Sequence, residues 1–458
     1  MRYLTGIVIW LLSALTAFGQ IIAPAAETAF VNVNVLTMTN KKVLRNQTVL
    51  VRGSVVYQIG PVGKVKPRDG ALVIDCAGKK YLMPGISEMH AHIPVAKNGD
   101  EELVKETLLL YLSNGITIIR GMLGDPYHLT LQDKISTGKI MGPRVYTASP
   151  SLNGNTVKTP EEARQKVTQY RKEGYNFLKI HPGIQLPVME EIVKTAREVG
   201  IPFSGHVPVE VGIRKALAFR YASIDHLDGY VDGLIPDNIK VDLNEGGYFG
   251  YNFTNLADRR RIPELVAATK KAGVWIVPTQ SLLVNWNSPV GGVEMTNQPE
   301  MKYMAPGTLI QWRTFKQQLL NNPRFNVDTA RQYIALRQQI LRQMEKKGVD
   351  LLLGSDAPQV GNVPGFSIQQ EMETLAEAGL SNYTILRSGT ANPARFFHSE
   401  GVFGTIVRGA TADLLLLDAN PLENVRNMRQ IAGVMVQGRW LPKRWIDYQL
   451  AAIAAKYQ

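Results

Sequence analysis

"NFLKIHPGIQLPVMEEIVKTAREVGIPFSGH", residues 176–206, is the stretch on which the fold turns. A short apolar run at 176–181 leads to the amphipathic helical segment "PVMEEIVKTAREVG" (187–200), and a second short apolar run follows at 201–206. Apolar runs of this length, too short for helices and separated by a segment of helical period, read as a strand–helix–strand unit of a parallel sheet.

The same alternation extends in both directions. Apolar runs recur at 83–90, 115–122, 144–149, 223–227, 274–279 and 351–357, and helical stretches such as "GIRKALAFR" follow most of them. With the two quoted above they make eight βα units, the number that closes a (β/α)₈ TIM barrel. Shorter, alternating runs precede the barrel ("VNVNVLTM", "TVLVRGSVVYQIG", "ALVIDC") and follow it ("GTIVRGATADLLLLDANP", "IAGVMVQGRWL"), and these two blocks are expected to pair in space. Two connections, 229–261 and 281–326, are too long for plain βα loops. Both carry aromatics (Tyr248, Phe249, Tyr251, Phe253; Trp286, Tyr303, Trp312) and read either as a cover over a substrate or as an inserted helix pair packing on the barrel.

Bulk properties agree with a folded chain. Of 458 residues, 45% are hydrophobic and 20% charged, which excludes a disordered chain. The net charge of +12 is dispersed, with no basic block longer than "DRRR" at 258–261, so no nucleic-acid partner is expected. The opening "MRYLTGIVIWLLSALTAFGQ" has one arginine, an apolar stretch and small residues at Ala17 and Gly19; it reads as a signal peptide, residues 1–19, cut before Gln20. No later apolar run is long enough to span a bilayer, so no integral membrane segment is expected after cleavage. Cys76 is the single cysteine, which rules out an intrachain disulfide. The expected product is exported, periplasmic or secreted.

A barrel enzyme carries its chemistry at the C-terminal ends of its strands. Those ends hold His90 and His92 (first), Lys179 (fourth), His206 (fifth), His226 (sixth) and Asp356 (eighth). Residues i and i+2 of a strand share a face, so His90 and His92 can grip one ion from one side. Alone, such a pair is a weak signal, since a neutral histidine often only satisfies a local hydrogen bond. Four of the chain's seven histidines stand at these ends, however, and a carboxylate ends another strand. That donor set suits a borderline metal such as zinc, as one or two ions. Lys179 is the odd member. As an ammonium it would repel a cation; as a carbamate it could bridge two ions about 3.5–4 Å apart, although a strand lysine more often reaches for solvent.

These motifs resemble the amidohydrolase superfamily, in particular its secreted imidazolonepropionase-like and Xaa-Pro-dipeptidase-like branch. "MPGISEMHAH" resembles the family's first-strand signature, "NFLKIH" its lysine strand, "SGHVP" and "SIDHLDGY" the later histidine strands and "LLLGSDAP" the aspartate strand. The segments "EMETLAEAGLSNYTILRSGTANPARFF" and "GTIVRGATADLLLLDANPLENV" resemble its last helices and closing sandwich. The resemblance implies a barrel over 84–397 and a small composite β-sandwich from both chain ends, 28–83 and 398–448. It implies two divalent metal ions, with zinc expected: His90 and His92 on the first, His206 and His226 on the second, and carboxylated Lys179 between them. Asp356 would bind the first ion and handle the proton of the attacking water.

The implied reaction is hydrolysis of an amide in a small peptide-like, N-acylated or cyclic compound. Esters, lactones and phosphoesters suit the same site, and an inactive binding protein is the reading from another class. The only expected partner is a small-molecule substrate; a homo-oligomer stays open. Tyr230, four residues past His226, reads as an oxyanion donor or as packing. Glu88 stands where the family usually has aspartate, and Gln369, expected near the barrel mouth, stands where many relatives have histidine ahead of Glu371. His128, His181 and His398 match no ligand slot and read as solvated or hydrogen-bonded histidines, with a substrate contact open to His181 because it lies near the site.

Overall fold

A computed structural model describes residues 25–457; the signal-peptide reading of residues 1–19 lies outside them. The described chain starts with β1 (Glu27–Leu36), β2 (Val43–Arg52), β3 (Val55–Pro61), β4 (Leu72–Asp75) and β5 (Tyr81–Pro84). Seven strands of the barrel follow: β6 (Ile86–Ala91), β7 (Ile116–Gly121), β8 (Arg144–Leu152), β9 (Phe177–Ile180), β10 (Phe203–Gly205), β11 (Ser223–Asp225) and β12 (Trp275–Val277). After the last barrel helices come β13 (Leu414–Leu417), β14 (Ile431–Val436) and β15 (Arg439–Pro442).

The barrel strands are parallel and lie side by side in chain order, each crossing over to the next through helical or 3₁₀ turns. Every residue of β6, β7 and β9 is buried, as a strand covered on both faces requires. The intervening helices form because their apolar positions fall on one stripe. In Leu186–Val199 the buried residues include Val188, Met189, Ile192, Val193 and Ala196; Pro187 opens the helix, and Gly200, left-handed at φ 69°, ends it. Pro160–Glu173 starts with a capping box between Thr159 and Glu162.

The eighth run, 351–357, is not a regular strand, yet it closes the barrel. Leu352 N–H donates to Ile276 at 2.8 Å on one side, while Met89 and His92 N–H donate to Leu353 and Ala357, each at 2.8 Å, on the other. Two local features break its regularity. Asp356 has φ 63°, and Gly354 passes so close to β6 that a Cβ there would sit 2.8 Å from the His90 nitrogen.

Both chain ends build one eight-stranded sheet beside the barrel. Its order is β15-β14-β13-β5-β1-β2-β3, with β4 also on β1. β5 is the seam, parallel to β1 and antiparallel to β13. The apolar cluster on this sheet draws Phe30, Val35 and Val49 from one end of the chain and Leu414, Leu416 and Met435 from the other. A final helix, Lys443–Tyr457, runs past the expected boundary and ties to the first barrel helix, Glu102–Ser113, through Lys456 on Glu106 at 2.8 Å. Among the described residues, no helix is long and apolar enough to cross a membrane.

The two long connections differ in character. The first is a chain of 3₁₀ turns that includes Tyr248–Leu256, with Phe249 at φ 52°, and closes with Arg259–Arg261. The second holds the helices Gln280–Asn287 and Pro306–Leu320 over their own small core of Met295, Met301, Trp312, Val360 and Val363. Helix-pair packing therefore describes the second connection. The first brings an aromatic ring onto the strand ends.

Candidate metal centre

Six residues expected to meet at the barrel mouth do so. Asp356 Oδ1 lies 2.7 Å from His92 Nε2 and 3.5 Å from His90 Nε2, and its Oδ2 lies 3.8 Å from His226 Nδ1. One donor atom each from His90, His92 and Asp356 fit within 4.8 Å of one another. The imidazoles form a row: centroid distances are 5.6 Å from His92 to His90, 4.6 Å to His226, and 4.7 Å on to His206. Lys179 Nζ is fully buried and 3.8 Å from Asp225 Oδ2.

Two of the histidines are held from behind. His206 Nδ1 is 3.1 Å from Asp228 Oδ2, and His226 Nδ1 is 2.8 Å from Thr279 Oγ1, which leaves the Nε2 atoms for an ion. Arg337, fully buried, donates to the carbonyls of His226 (2.6 Å) and Pro278 (2.9 Å) and to Gln280 Oε1 (2.9 Å). Glu371 accepts from the amides of Gln280 (2.9 Å) and Ser281 (2.6 Å) at the start of the next helix. Glu88 accepts from the amides of His90 and Ser355 and from the Ser355 hydroxyl, at 3.1, 2.8 and 2.7 Å, so it staples β6 to the closing segment. Burial pushes the Glu88 carboxyl up to about 8. Three non-glycine residues at these strand ends, His226 (φ 63°), Thr279 (φ 44°) and Asp356 (φ 63°), adopt left-handed backbone, an uncommon conformation that tends to collect at functional sites.

The electrostatics favour ligand forms. Burial, reinforced by Lys179, drives His206 down to about 3, and burial holds His90 and His226 well below the usual histidine range. A neutral imidazole has a free lone pair for a metal. Three buried polar atoms converge here without a hydrogen bond: His90 Nδ1, Lys179 Nζ and Asp225 Oδ2. An orphaned buried polar atom is costly, and three together beside four imidazoles and two carboxylates fit a site built for divalent cations.

Asp225 is the residue that sequence reasoning missed. It is fully buried on β11, with Oδ2 3.2 Å from His90 Nδ1 and Oδ1 held by Arg120 (3.1 Å) and Ser223 (3.1 Å). Arg120, on β7, also donates to the Met89 carbonyl at 2.7 Å. The signal was present: "IIRG" and "SIDH" each set one charge in a short apolar strand, and a buried charge needs a partner.

Other expectations change. Tyr230 is fully buried, and its hydroxyl lies 2.7 Å from Thr269 on the helix Ile262–Ala272, so it packs in the outer layer and leaves the oxyanion without that donor. Gln369 does not reach the mouth; it is buried and donates to the Met428 carbonyl beside the flanking sheet. His128 is buried against the Ile93 carbonyl at 3.1 Å, and His398 follows the helix Ala391–Phe396. His181 does reach the site, with its ring 4.9 Å from that of His206. Phe249 lies 4.9 Å from His226 and 5.9 Å from His206, which makes it an apolar wall over the second pair of histidines.

The sequence pattern of the Amidohydrolase family matches residues 81–441. No curated protein matches. Solved structures share the fold at low identity. A Xaa-Pro dipeptidase with bound methionine in its active site is 18% identical with a TM-score of 0.66, over 91% of this chain and 100% of that one. A bottromycin amidohydrolase is 20% identical with a TM-score of 0.70, over 94% and 91%. Molinate hydrolase is 16% identical with a TM-score of 0.65, over 92% and 96%.

Proposed function

Since the chain belongs to the amidohydrolase family and is thereby a hydrolase acting on carbon–nitrogen bonds, we propose that it cuts an amide in a small peptide-like, N-acylated or cyclic substrate, using two divalent ions, zinc in the first instance. His90, His92 and Asp356 would hold one ion, His206 and His226 the other, and Lys179 as its carbamate would join them. Bound there, the ions supply Lewis acidity, which acidifies water and polarises a carbonyl.

The chain's own residues do the rest. Asp356 takes the proton of the attacking water and returns it to the departing nitrogen; its support is the carboxylate lying between His92, His90 and His226. For the carbamate, the neutral Lys179 amine would attack the carbon of carbon dioxide, forming the N–C bond and passing one N–H proton to water by way of the neighbouring Asp225 carboxylate, 3.8 Å away. The buried Nζ without a hydrogen bond supports this step. Phe249 and the histidine row exclude water from one side, so charges inside interact more strongly. The amide class draws on the likeness to a dipeptidase and a bottromycin amidohydrolase. Export, periplasmic or secreted, rests on residues 1–19 alone.

The observation that carries the reading is the convergence of four histidines, Lys179 and two aspartates with three orphaned buried atoms. The test is elemental analysis of the purified protein, with assays of Xaa-Pro dipeptides, N-acyl amino acids, lactones and phosphoesters before and after chelation. About two metal equivalents and chelator-sensitive amide cleavage are expected. Turnover confined to lactones or phosphoesters, or amide cleavage that survives complete metal removal, would overturn it.

A further inference from the structure

His181 directly follows β9, two residues past Lys179, and has no part in the ion-binding set. Its Nδ1 lies 2.5 Å from Ser151 Oγ, and that oxygen accepts from Asn153 Nδ2 at 2.9 Å. Among the described residues the Ser151 side chain makes no other hydrogen bond. A hydroxyl has one proton and two lone pairs. Asn153 occupies one lone pair, and among the described residues the only acceptor within reach of the proton is His181 Nδ1; with the proton placed there, the imidazole carries its own on Nε2. The chain Asn153–Ser151–His181 thus turns a histidine into a fixed donor at the barrel mouth.

Its position gives that donor a target. Asp356 touches His92 and His90, near one end of the histidine row. His181 lies at the other, its ring 4.9 Å from His206 and tilted by 32°. An amide nitrogen must face Asp356 to receive a proton, so the oxygen on the same carbon faces away, toward His206 and His181. We propose that His181 is a catalytic residue whose Nε2–H donates a hydrogen bond to the scissile carbonyl oxygen and to the negative charge that grows on it. Ser151 and Asn153 are positioning residues for this donor. The inference rests on the amide-hydrolase reading, and it supplies the oxyanion contact that Tyr230 cannot reach.

The test combines kinetics on the fastest amide of the panel above with metal analysis and ¹⁵N NMR of histidine-labelled protein, loaded with zinc. Losing one oxyanion donor costs on the order of 10²-fold in kcat. His181→Ala is therefore expected to lose about that much kcat, with KM and metal content near wild type. Ser151→Ala is expected to lose about tenfold, because the ring stays but its tautomer is no longer set. In wild type the His181 signals should be those of a neutral ring protonated at Nε2, and they should become a tautomer mixture in Ser151→Ala. A ring protonated at Nδ1, an unchanged kcat in His181→Ala, or loss of metal in step with activity in that variant would each overturn the proposal. The NMR arm holds even where His181→Ala fails to fold. Wild-type protein that binds metal yet cuts no amide would instead sink the reading beneath it.

Discussion

Asp356 joins a ligand position and a proton-handling position in one side chain, and its asparagine variant separates them. Asn keeps an oxygen for an ion and cannot accept the proton. Asp356→Asn is expected to retain metal while turnover falls by about 10²-fold or more; elemental analysis and kcat check this, and near-normal turnover would remove the role. Lys179→Ala should lose most of one metal equivalent together with activity, with partial recovery in added short carboxylic acids that stand in for the carbamate. Unchanged metal content would mean that Lys179 is no ligand. The ligand types were legible because they stand at strand ends, each preceded by an apolar run. Asp225 and Arg120 were not singled out, since each is a lone charge in a short apolar run and its meaning comes from a partner 105 positions away.

Among the elements, the helix pair of the second long connection depends on one buried lysine. Lys316 donates to the carbonyls of Asn285 (2.7 Å), Trp286 (2.9 Å) and Ser288 (2.6 Å), which gather at the end of the helix Gln280–Asn287. A cation there satisfies carbonyls that the helix itself leaves open. Lys316→Met keeps the stem and removes all three donors, so a loss of about 2–4 kcal/mol and a Tm lower by several degrees are expected in a thermal melt. A melt that does not move would show that water replaces the ammonium there. Between the two readings of the long connections, composition could not choose. Phe249 faces histidines because Tyr248–Leu256 is kinked at Phe249 and Gly250, and Tyr333 donates to the Phe249 carbonyl at 3.2 Å. Neither the kink nor that partner has a local signal.

At the scale of the whole molecule, the barrel and the flanking sheet share a seam. β5 lies between β1 and β13 and runs directly into β6, which carries His90. Removal of residues 398–458 would strip β13 from β5 and expose Phe30, Val35 and Leu82, all fully buried now. The truncated chain is expected to be insoluble or to lack a cooperative melt, because an apolar face and an unpaired strand edge invite aggregation. A soluble truncation with a native-like circular dichroism spectrum and melt would show that the barrel stands alone.

By itself the sequence determined the alternation of strand and helix, the count of eight units, the pairing of the two chain ends and the ligand types at the strand ends. Each of these is local: periodicity and residue type are written within a few positions. Only the tertiary structure decided that the eighth run bends at Asp356 while still closing the barrel, that Tyr230 turns to Thr269 and Gln369 to Met428, and that Asp225 joins His90 and Lys179. Those outcomes follow from which side chains meet across the barrel and from the need to pair every buried charge, and neither is set by a residue's neighbours in the chain.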